Sequence, residues 1–523
     1  MERPLGAQIS HMLKDRGVDV IFGIPGVHNQ ELYRGIEEAG ITHVLARHEQ
    51  GAGFMADGYA RATGKPGVAY VITGPGLTNI MTPMGQGYSD SVPMLVISSC
   101  LDETAATRGQ LHQMKNQRAA AATVCDWSEE ARSAEAAYAL IDRALMEFET
   151  NRKRPKHIQV PIAQLEKVAP SAPDAGYAPT GNAAHVSDVG DLRRALESAD
   201  RPLFIIGGGV SADVTPLLEE LGAAAFTSYA GRGSVAPDYP LSFSATLARP
   251  DSARVISSAD LVVAVGCELA EVDLWRAALG HEGAPLYRID IDSEVLSDRH
   301  RADWTILGDW QDVSAALALT PIAPAPGWSS SEVAELRTRW RAEVMAERPG
   351  IVPVCDALRD CLPGGTMIYS DMTQFAYTAK EVWDMDRPGH WHHPTGFGTL
   401  GYALPAAIGG AVARQGAPTL CIIGDYGFHY TMAELGVAVE LGLPLPIFLW
   451  DNGKLGEIED SMIAAQIAPN AVVQRNPDFI ALARAFGAHA EAPSSLTQMQ
   501  DAVRAAFDAN GPTLIRVTPE ITA

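Results

Sequence analysis

Cysteine, positive charge and long apolar runs are all scarce in this chain, and each shortage excludes a class of protein. The 6 cysteines contain no Cys-x-x-Cys pair, so they predict buried free thiols rather than a disulfide framework or a zinc site. With 40 Lys and Arg against 63 Asp and Glu, the formal charge is −23, which argues against nucleic acid or an anionic membrane as a partner. No apolar run reaches the roughly 18 residues of a membrane span, and residues 1–17 lack a signal-peptide core. We therefore expect a soluble, cytoplasmic protein.

The length of the chain and two stretches rich in residues that interrupt helices and strands predict three domains. A chain of 523 residues exceeds what a single hydrophobic core usually serves. Residues 169–184 and 319–331 hold few large apolar side chains and many Pro, Gly, Ala and Ser residues, so we interpret both as linkers. They leave domains at 1–168, 185–320 and 345–523. Each domain alternates apolar strand patterns with helical patterns, which predicts the α/β class with a doubly wound parallel sheet in each domain.

Two turns in the last domain carry oxygen donors at matched places. Asp425, in the segment GDYGF (424–428), directly follows a predicted buried strand, and Asn452, in LWDNG (449–453), follows a second one over 445–449. Apolar residues at helical spacing over 431–441 predict a helix between them, so both turns are expected at one edge of the sheet. Carboxylate, amide and loop carbonyl oxygens suit Mg²⁺, which usually completes its octahedron with ligand phosphates. We therefore predict a site for Mg²⁺ and a diphosphate here.

These turns resemble the diphosphate-binding motif of thiamine-diphosphate (ThDP) enzymes, which is usually Gly-Asp-Gly followed by Asn-Asn at a similar distance. Here 27 positions separate Asp425 from Asn452. Tyr426 replaces the second Gly of the motif and Asp451 replaces its first Asn, although both side-chain ligands are present. Taken alone, each of the two segments could be a simple turn that binds no metal. The metal ligands implied by the resemblance are Asp425, Asn452 and Lys454. The diphosphate contacts that it implies are Gly424, Asp425, Tyr426, Gly427, Asn452 and Leu455.

The segment HEQGAGFMADGYAR (48–61) resembles the stretch of the N-terminal domain in which ThDP enzymes carry an essential glutamate. By that resemblance Glu49 protonates a ring nitrogen of the cofactor's aminopyrimidine, whose imino tautomer then removes the proton from the thiazolium carbon to make the nucleophile. Taken alone, a glutamate at the start of a helix is more simply a first-turn carboxylate that interacts with the helix dipole. The match over the whole segment favours the catalytic interpretation.

Three further segments follow in the order that this family requires. FGIPG (22–26) and TGPGLTN (73–79) resemble cofactor-facing loops of the pyrimidine-binding domain, and GFGTLGYALPAA (396–407) resembles the segment that grips the pyrimidine ring. The carbonyl of Gly398 would accept the ring's amino proton. Leu400, a core residue when taken alone, would be the catalytic wedge that holds the two cofactor rings in a V. The cofactor-binding residues implied by these segments are Pro25, Gly26, Gly74, Gly76, Asn79, Gly398 and Leu400.

Taken together, the segments resemble the ThDP-dependent decarboxylase and carboligase superfamily over nearly the whole chain. This implies a pyrimidine-binding domain, a central Rossmann-like domain and a diphosphate-binding domain, in that order. It also implies a homodimer or homotetramer, with each cofactor between the first domain of one subunit and the last domain of another. The glycines at 207–209 follow a predicted buried strand in the central domain, where some carboligases bind FAD. Packing of sheet against helix also explains these glycines, so FAD is not favoured.

Pocket residues decide whether a small-molecule 2-oxo acid is decarboxylated or joined to a second carbonyl compound. The expected substrate contacts are Val27, His28, His112 and Glu457. The His-His pair and the glutamate typical of pyruvate decarboxylases are missing, because the single His112 lies roughly where the pair would be and Ile458 occupies the glutamate position. Acetolactate synthases usually have Phe-Gln where this chain has Leu111-His112. His112 is a candidate catalytic residue, and both a proton relay and a simple loop hydrogen bond remain open for it.

The combination of GVH (26–28) with segments 48–61 and 424–428 looks most like 5-guanidino-2-oxopentanoate (2-ketoarginine) decarboxylases. That subfamily implies a planar, cationic substrate tail that a carboxylate can bind at two points. Glu457, just beyond the metal turn, is the first choice for this carboxylate. A first-turn helix carboxylate without a ligand is the alternative for Glu457.

The expected reaction is the ThDP- and Mg²⁺-dependent, non-oxidative decarboxylation of 5-guanidino-2-oxopentanoate to 4-guanidinobutanal and CO₂. An acetolactate-synthase-like carboligase that acts on pyruvate is the second hypothesis. A non-catalytic ThDP-binding subunit is the third, and intact Glu49, Asp425 and Asn452 argue against it.

Overall fold

A computed structural model describes residues 2–174, 189–281 and 283–522. Within them lie three parallel sheets of six strands each, with hydrophobic cores on both faces of every sheet. The expected α/β class, with three doubly wound parallel-sheet domains, is therefore confirmed. Residues 175–184 of the first predicted linker and 185–188 of the predicted central domain lie outside the described residues. The domain boundaries stay predictions.

The first domain is built around strands β1 (Arg3–Pro4), β2 (Val20–Gly23), β3 (Thr42–Leu45), β4 (Gly67–Val71), β5 (Met94–Cys100), β6 (Trp127–Glu130), β7 (Lys156–Pro161) and β8 (Val168–Ala169). Its helices are α1 (Leu5–Asp15), α2 (Gln30–Glu38), α3 (Glu49–Thr63), α4 (Pro75–Ser89), α5 (Gln117–Ala121), α6 (Ala134–Thr150) and α7 (Ile162–Leu165). The parallel sheet has the order β3-β2-β4-β5-β7-β6, and β1 pairs antiparallel with β8. The winding therefore reverses between β2 and β4, a point at which open α/β sheets bind ligands.

The central domain is built around strands β9 (Pro202–Ile206), β10 (Ala224–Thr227), β11 (Ser242–Ser244), β12 (Leu261–Val265), β13 (Leu286–Asp290) and β14 (Trp304–Leu307). Its helices are α8 (Val189–Ser198), α9 (Thr215–Leu221), α10 (Ser252–Ser257), α11 (Glu271–Leu274), α12 (Ser293–Leu296) and α13 (Trp310–Leu317). The sheet order is β11-β10-β9-β12-β13-β14. After β9, a Cβ on Gly207 would lie 2.0 Å from the carbonyl oxygen of Gly266. Close packing of two loop backbones therefore accounts for this glycine without a ligand.

The third domain is built around strands β15 (Met367–Ser370), β16 (Trp391–His392), β17 (Thr419–Gly424), β18 (Pro446–Trp450), β19 (His489–Glu491) and β20 (Thr513–Val517). The helices of this part of the chain are α14 (Ser330–Glu347), α15 (Ile351–Cys361), α16 (Gln374–Val382), α17 (Ala403–Arg414), α18 (Asp425–Thr431), α19 (Leu435–Glu440), α20 (Gly456–Ala464), α21 (Phe479–Phe486) and α22 (Leu496–Phe507). The sheet order is β16-β15-β17-β18-β20-β19. Here the winding reverses between β15 and β17.

Strands at the centre of these sheets are apolar along their whole length because both of their faces are buried. In β4, Val68 and Tyr70 enter one hydrophobic core, whereas Ala69 and Val71 enter the core on the opposite face. Continuous apolar runs of this kind are typical of parallel sheets covered by helices on both sides. The apolar runs read from the sequence therefore mark strands rather than buried helices.

Helix α3 of the first domain packs closely against α17 of the third. A Cβ on Gly58 would lie 1.9 Å from the carbonyl oxygen of Ala406, and one on Gly409 would lie 1.9 Å from that of Met55. The hydroxyl of Tyr402 donates to the fully buried Asp57 at 2.7 Å. Glycine at both positions lets the two helix backbones touch, so the outer domains share one continuous hydrophobic core.

The strand, helix and strand predicted around the metal turns are present, but several bounds were wrong. The second strand is β18 and begins at Pro446 rather than at 445. Asp425, predicted in a turn, is the first residue of α18, because β17 leads directly into that helix. The connection predicted as one helix over 431–441 is broken by a 3₁₀ turn over Met432–Glu434. The predicted linker 319–331 ends early, because Ser330 already begins α14.

All six cysteines are buried free thiols, as the sequence predicted. Among the residues that the structure describes, no helix combines the length and the apolar character that crossing a membrane requires.

Candidate active site

Glu49 is the first residue of α3, and its carboxylate is buried beside the helix that follows β4. Asn79 donates from Nδ2 to Oε2 of Glu49 at 2.9 Å. A Cβ on Gly76 would lie 3.4 Å from Oε1 of Glu49, so the start of α4 runs directly past the carboxylate. The structure therefore brings Glu49, Gly76 and Asn79 together at the point where the first sheet reverses its winding.

The loop after β4 meets the loop of His112 at Gly74. Gly74 has φ +70°, and a Cβ there would lie 2.4 Å from the carbonyl oxygen of His112. Its amide donates to Oε1 of the buried Gln117 at 2.9 Å. Glycine adopts this left-handed conformation without steric cost and leaves room for the second loop. Gly74 therefore sets how closely His112 approaches the start of α4.

The loop after β2 forms the rim of this half of the site. Asn29 closes the loop by accepting the amide of Gly26 through Oδ1 at 2.7 Å. Pro25 is exposed, and Val27 is 65% exposed. The predicted substrate contact Val27 is thus an apolar side chain that faces outward, on the same loop as His28.

His28 and His112 form a pair that the sequence did not predict. Their ring centroids lie 4.8 Å apart, with the ring planes at 72°. His112 has φ +62°, a conformation that is uncommon for residues other than glycine. Nδ1 of each ring is buried and has no hydrogen-bond partner in the described part of the chain. Burial lowers the pKa of His28, and the neighbouring His112 lowers it further. The pair therefore favours a neutral imidazole at His28.

Asp425 and the turn after β18 are in direct contact, as the sequence predicted. The amide of Gly453 donates to Oδ2 of Asp425 at 3.0 Å. Asp425 is 2% exposed, although it is the first residue of a helix. Burial raises the pKa of Asp425, the nearby Asp451 adds to the rise, and a hydrogen bond from Asn476 opposes it. A cation bound here would compensate the charge of this buried carboxylate.

Asn452 lies two residues after the end of β18, and its side chain contacts the first residue of α16. Its Nδ2 donates to Oε1 of Gln374 at 3.2 Å, and its Oδ1 accepts the amide of Lys454 at 3.3 Å. Leu455, which follows Lys454, donates its amide to the carbonyl of Val472 at 2.8 Å. The metal turn is therefore held on one side by α16 and on the other by residues 472–474.

Asp451, which stands where the ThDP motif usually has Asn, forms an ion pair with an arginine side chain. Arg516 donates from Nε to Oδ2 of Asp451 at 2.6 Å. Asn476 donates from Nδ2 to both Asp451 and Asp425, each at 2.7 Å. One side-chain amide thus joins the two acids of the turn. Sequence reasoning missed Asn476, because a lone Asn in a loop carries no signal of its partners.

Asp371 is a buried acid that sequence reasoning also missed. It is fully buried and accepts three backbone amides at 2.8 to 3.2 Å, from Met372, Gly401 and Ala403. Burial raises its pKa to about 6, although these hydrogen bonds lower it. It thereby anchors the loop that carries Gly398, which is exposed, and Leu400, which is half-buried. Its position could have identified it, because Asp371 directly follows strand β15 just as Asp425 directly follows strand β17.

Glu457 lies in the first turn of α20 and is paired with Arg348. The guanidinium donates from Nε to Oε1 at 2.8 Å and from Nη2 to Oε2 at 3.1 Å. The Glu457 side chain is nevertheless 33% exposed. Glu459, two residues further along α20, pairs with Lys454. Of the other predicted contacts, Gly424 and Gly427 are buried and Tyr426 is half-buried at the start of α18.

Models of three domains of thiamine pyrophosphate (ThDP) enzymes match the chain. The N-terminal TPP binding domain matches residues 3–120, the central domain matches 189–317, and the C-terminal TPP binding domain matches 371–517. Their order is the one that the sequence motifs predicted. The chain belongs to the thiamine pyrophosphate enzyme family.

Curated members of this family match nearly the whole chain. It is 42% identical to a probable 2-ketoarginine decarboxylase, AruI, of Pseudomonas aeruginosa, over 98% of this chain and 93% of the relative. It is 29% identical to the large subunit of acetolactate synthase isozyme 2 of Escherichia coli, over 98% of this chain and 95% of the relative. A probable acetolactate synthase large subunit of Methanocaldococcus jannaschii is 26% identical, over 97% of this chain and 90% of the relative.

In this thiamine pyrophosphate enzyme the predicted site residues fall into two groups. One group surrounds Glu49 in the first domain, and the other surrounds Asp425 and Asn452 in the third. Within the described residues, no hydrogen bond joins Glu49 to the metal turns. Each group lies at the winding reversal of its own sheet.

The donor atoms of the metal turns fit Mg²⁺ held together with a diphosphate. The described residues contain no cluster of three or more His, Cys, Asp or Glu side chains that would hold a metal without other help. A cation at Asp425 would depend on one carboxylate, an amide oxygen, a backbone carbonyl and ligand phosphates. Mg²⁺ is usually bound in this way, through one or two carboxylates and substrate phosphates.

Proposed function

We propose that this ThDP enzyme decarboxylates 5-guanidino-2-oxopentanoate to 4-guanidinobutanal and CO₂, with Mg²⁺ holding the cofactor's diphosphate. The observation that carries the proposal is the acidic first turn of α20, where Glu457 and Glu459 directly follow the metal turn. A carboxylate at this place would bind a guanidinium tail through two parallel charged hydrogen bonds, which match its planar fork. The 42% identity to a relative named as a probable 2-ketoarginine decarboxylase supports the same substrate.

The cofactor would lie between the two halves of the site. When bound, ThDP supplies a nucleophilic carbon and accepts the electron pair that the departing carboxylate leaves behind. Glu49 would hold a proton at a ring nitrogen of the aminopyrimidine, and Asn79 orients that carboxyl group through its 2.9 Å hydrogen bond. The diphosphate and Mg²⁺ would be held by Asp425, Asn452 and the carbonyl of Lys454.

The ring system would be positioned by the loop that Asp371 anchors. Three amide hydrogen bonds fix this loop, so Gly398 and Leu400 keep their places when the cofactor enters. Leu400 is half-buried, which leaves its side chain available as the wedge between two rings. Precise placement of reacting groups is itself a large part of catalysis.

Glu457 would bind the substrate's guanidinium while it stays paired with Arg348. A carboxylate offers about four lone-pair directions, so two guanidinium groups can share one. The remaining 33% exposure of the Glu457 side chain leaves room for the second. In the first domain, His28 and His112 would contact the 2-oxo acid end, where an imidazole can accept or return a proton.

Each complete site would combine two subunits, in a homodimer or homotetramer. Large apolar side chains near both halves are exposed in the single chain. They include Val27 at 65%, Leu111 at 61%, Phe397 at 51% and Ile458 at 51%. Burial of such side chains against a second copy is favourable, and a two-fold axis would pair the first domain of one subunit with the third domain of the other.

A product assay tests the proposal. The enzyme, loaded with ThDP and Mg²⁺, is given 5-guanidino-2-oxopentanoate or pyruvate, and both CO₂ and the organic product are followed. We expect rapid 4-guanidinobutanal formation with pyruvate as a poor substrate, and loss of turnover in Glu49→Gln. Acetolactate from pyruvate, with the guanidino acid inert, would assign the chain to the carboligases instead.

A further inference from the structure

Glu434 is a buried acid that none of the proposed roles uses. It ends the 3₁₀ turn between α18 and α19 and is 1% exposed. Its carboxylate reaches the first domain, where both oxygens accept the amide of Arg47 at 3.1 Å and Oε1 accepts the amide of His48 at 3.0 Å. These are the two backbone N–H groups that directly precede Glu49. A side chain of the third domain therefore holds the backbone that carries Glu49.

Helix α3 is shaped to admit this carboxylate. A Cβ on Gly51 would lie 2.1 Å from Oε1 of Glu434, so any larger residue there would displace it. The carboxylate also faces the positive end of the α3 dipole, which attracts a negative charge. Glu434 thus contacts the helix start itself rather than an exposed side chain.

The charged groups around Glu434 leave the two amides as its main partners. Arg47 directs its guanidinium to Glu440 and to the carbonyl of Leu45, and His48 accepts the amide of Gln50 through Nδ1. Burial raises the pKa of Glu434 to about 7. The two amide hydrogen bonds and the charge of Arg47 oppose the rise, whereas the like charge of Glu49 adds to it.

We propose that Glu434 is a positioning residue for Glu49, whose ionised carboxylate fixes the start of α3 and so aims the Glu49 carboxyl group at the pyrimidine ring of ThDP. The inference rests on the proposed function of Glu49. The ionised form holds the two amides more strongly, because hydrogen bonds to a charged carboxylate are roughly twice as strong as those to a neutral carboxyl group. Loss of this hold would let the first turn of α3 shift, and a shift of about 1 Å in a reacting group can cost about a hundredfold in rate.

Exchange of the C2 proton of enzyme-bound ThDP with D₂O tests the inference without any 2-oxo acid. Acid quenching and NMR give the exchange rate, and quenching of tryptophan fluorescence gives the affinity for ThDP. The variants are Glu434→Ala, Glu434→Gln, Gly51→Ala and Glu49→Gln. Gly51→Ala displaces the carboxylate without removing it and remains informative if a Glu434 variant fails to fold. Glu440→Gln is the matched control, because it removes the ion pair of Arg47 and leaves both amide hydrogen bonds.

We expect Glu434→Ala and Gly51→Ala to slow exchange by about a hundredfold while the affinity for ThDP stays unchanged, and Glu440→Gln to behave as wild type. The wild-type rate should rise as the pH passes through about 7, where Glu434 ionises, and Glu434→Gln should lack this rise. Wild-type rates and pH profiles in the Glu434 variants, with exchange lost in Glu49→Gln, would overturn the inference alone. Wild-type exchange in Glu49→Gln would overturn both this inference and the proposed function.

Discussion

The carboxylate of Glu457 and the guanidinium of Arg348 form a two-point ion pair, with N–O distances of 2.8 and 3.1 Å. Arg348 thus takes up both oxygens of Glu457, and the guanidinium of the substrate would use the remaining lone pairs of the same carboxylate. Removal of Glu457 alone would leave Arg348 without its principal partner. A partly buried charge that loses its partner destabilises the fold. Variants must therefore change both residues before substrate effects can be separated from folding effects.

The first prediction compares Arg348→Gln with the double variant Arg348→Gln/Glu457→Gln. The single variant frees both oxygens of Glu457, so the KM for 5-guanidino-2-oxopentanoate should stay the same or fall. The double variant removes the carboxylate without leaving a charge unpaired, and KM for the guanidino acid should rise by at least about tenfold, as expected for loss of a charged hydrogen bond. Steady-state kinetics with pyruvate are the control and should not separate the two variants. An equal effect on both substrates would remove Glu457 from the pocket.

The second prediction concerns the metal turns. Asp425→Asn removes the only carboxylate proposed to bind Mg²⁺, so Mg²⁺-dependent binding of ThDP should be lost. Asn476→Ala leaves the ligands in place but removes the 2.7 Å hydrogen bond that orients Asp425. The affinity for Mg²⁺ should then fall by about 10- to 100-fold, the usual cost of losing a group that orients a metal ligand. Titrations of ThDP at several Mg²⁺ concentrations measure both effects. Binding that survives EDTA and Asp425→Asn alike would contradict the metal assignment.

The polar residues around the site show which features the sequence alone could reveal. Asp425 and Asn452 were found because each lies just beyond the end of an apolar strand, and position after a strand is a local property. Asp371 carries the same local signal and could have been found in the same way. Glu434 and Arg348 could not, because their partners, His48 and Glu457, lie 386 and 109 positions away. Contacts at such separations depend on how the domains pack, which no local pattern encodes.

The fold was predictable for the same reason that the turns were. Strands buried on both faces are continuous apolar runs, so the parallel sheets could be read from strands such as β4 and β17. The break at Met432–Glu434 was missed, since its apolar spacing continues the helical pattern on either side. Glu434 is the last residue of that break and is buried, so the error in secondary structure falls on the same residue as the missed acid.

The third prediction concerns acid stability. His157 is fully buried, with Ser98 Oγ at 2.8 Å from Nε2 and Ser128 Oγ at 2.7 Å from Nδ1, and burial lowers its pKa to about 3. Below pH about 6.5 the unfolded chain binds a proton at this residue and the folded chain does not, so the free energy of unfolding falls by about 1.4 kcal/mol per pH unit.

His157→Gln removes this dependence. Between pH 7.5 and about 5, its loss of unfolding free energy should be smaller than that of wild type by about 2 kcal/mol. Urea unfolding followed by circular dichroism measures the difference. His489→Gln, at an exposed histidine, is the matched control and should keep the wild-type pH dependence. Parallel pH profiles for wild type and His157→Gln would show that His157 is protonated in the folded protein.

The fourth prediction tests whether each site takes Glu49 from one subunit and Asp425 from another. Glu49→Gln and Asp425→Asn should each be inactive as homo-oligomers. In a dimer that contains one subunit of each kind, one site has both substitutions and the other has neither if the halves come from different subunits. Co-expression should therefore restore about one quarter of the wild-type activity, since about half of randomly formed dimers are mixed and each has one intact site of two. If both halves came from the same chain, every site would carry one substitution and co-expression would restore nothing.

Differently tagged subunits, purified over two affinity steps, isolate the mixed dimer, whose activity should be about half that of wild type. Inactive mixed dimers that still bind ThDP would place Glu49 and Asp425 of one chain in the same site.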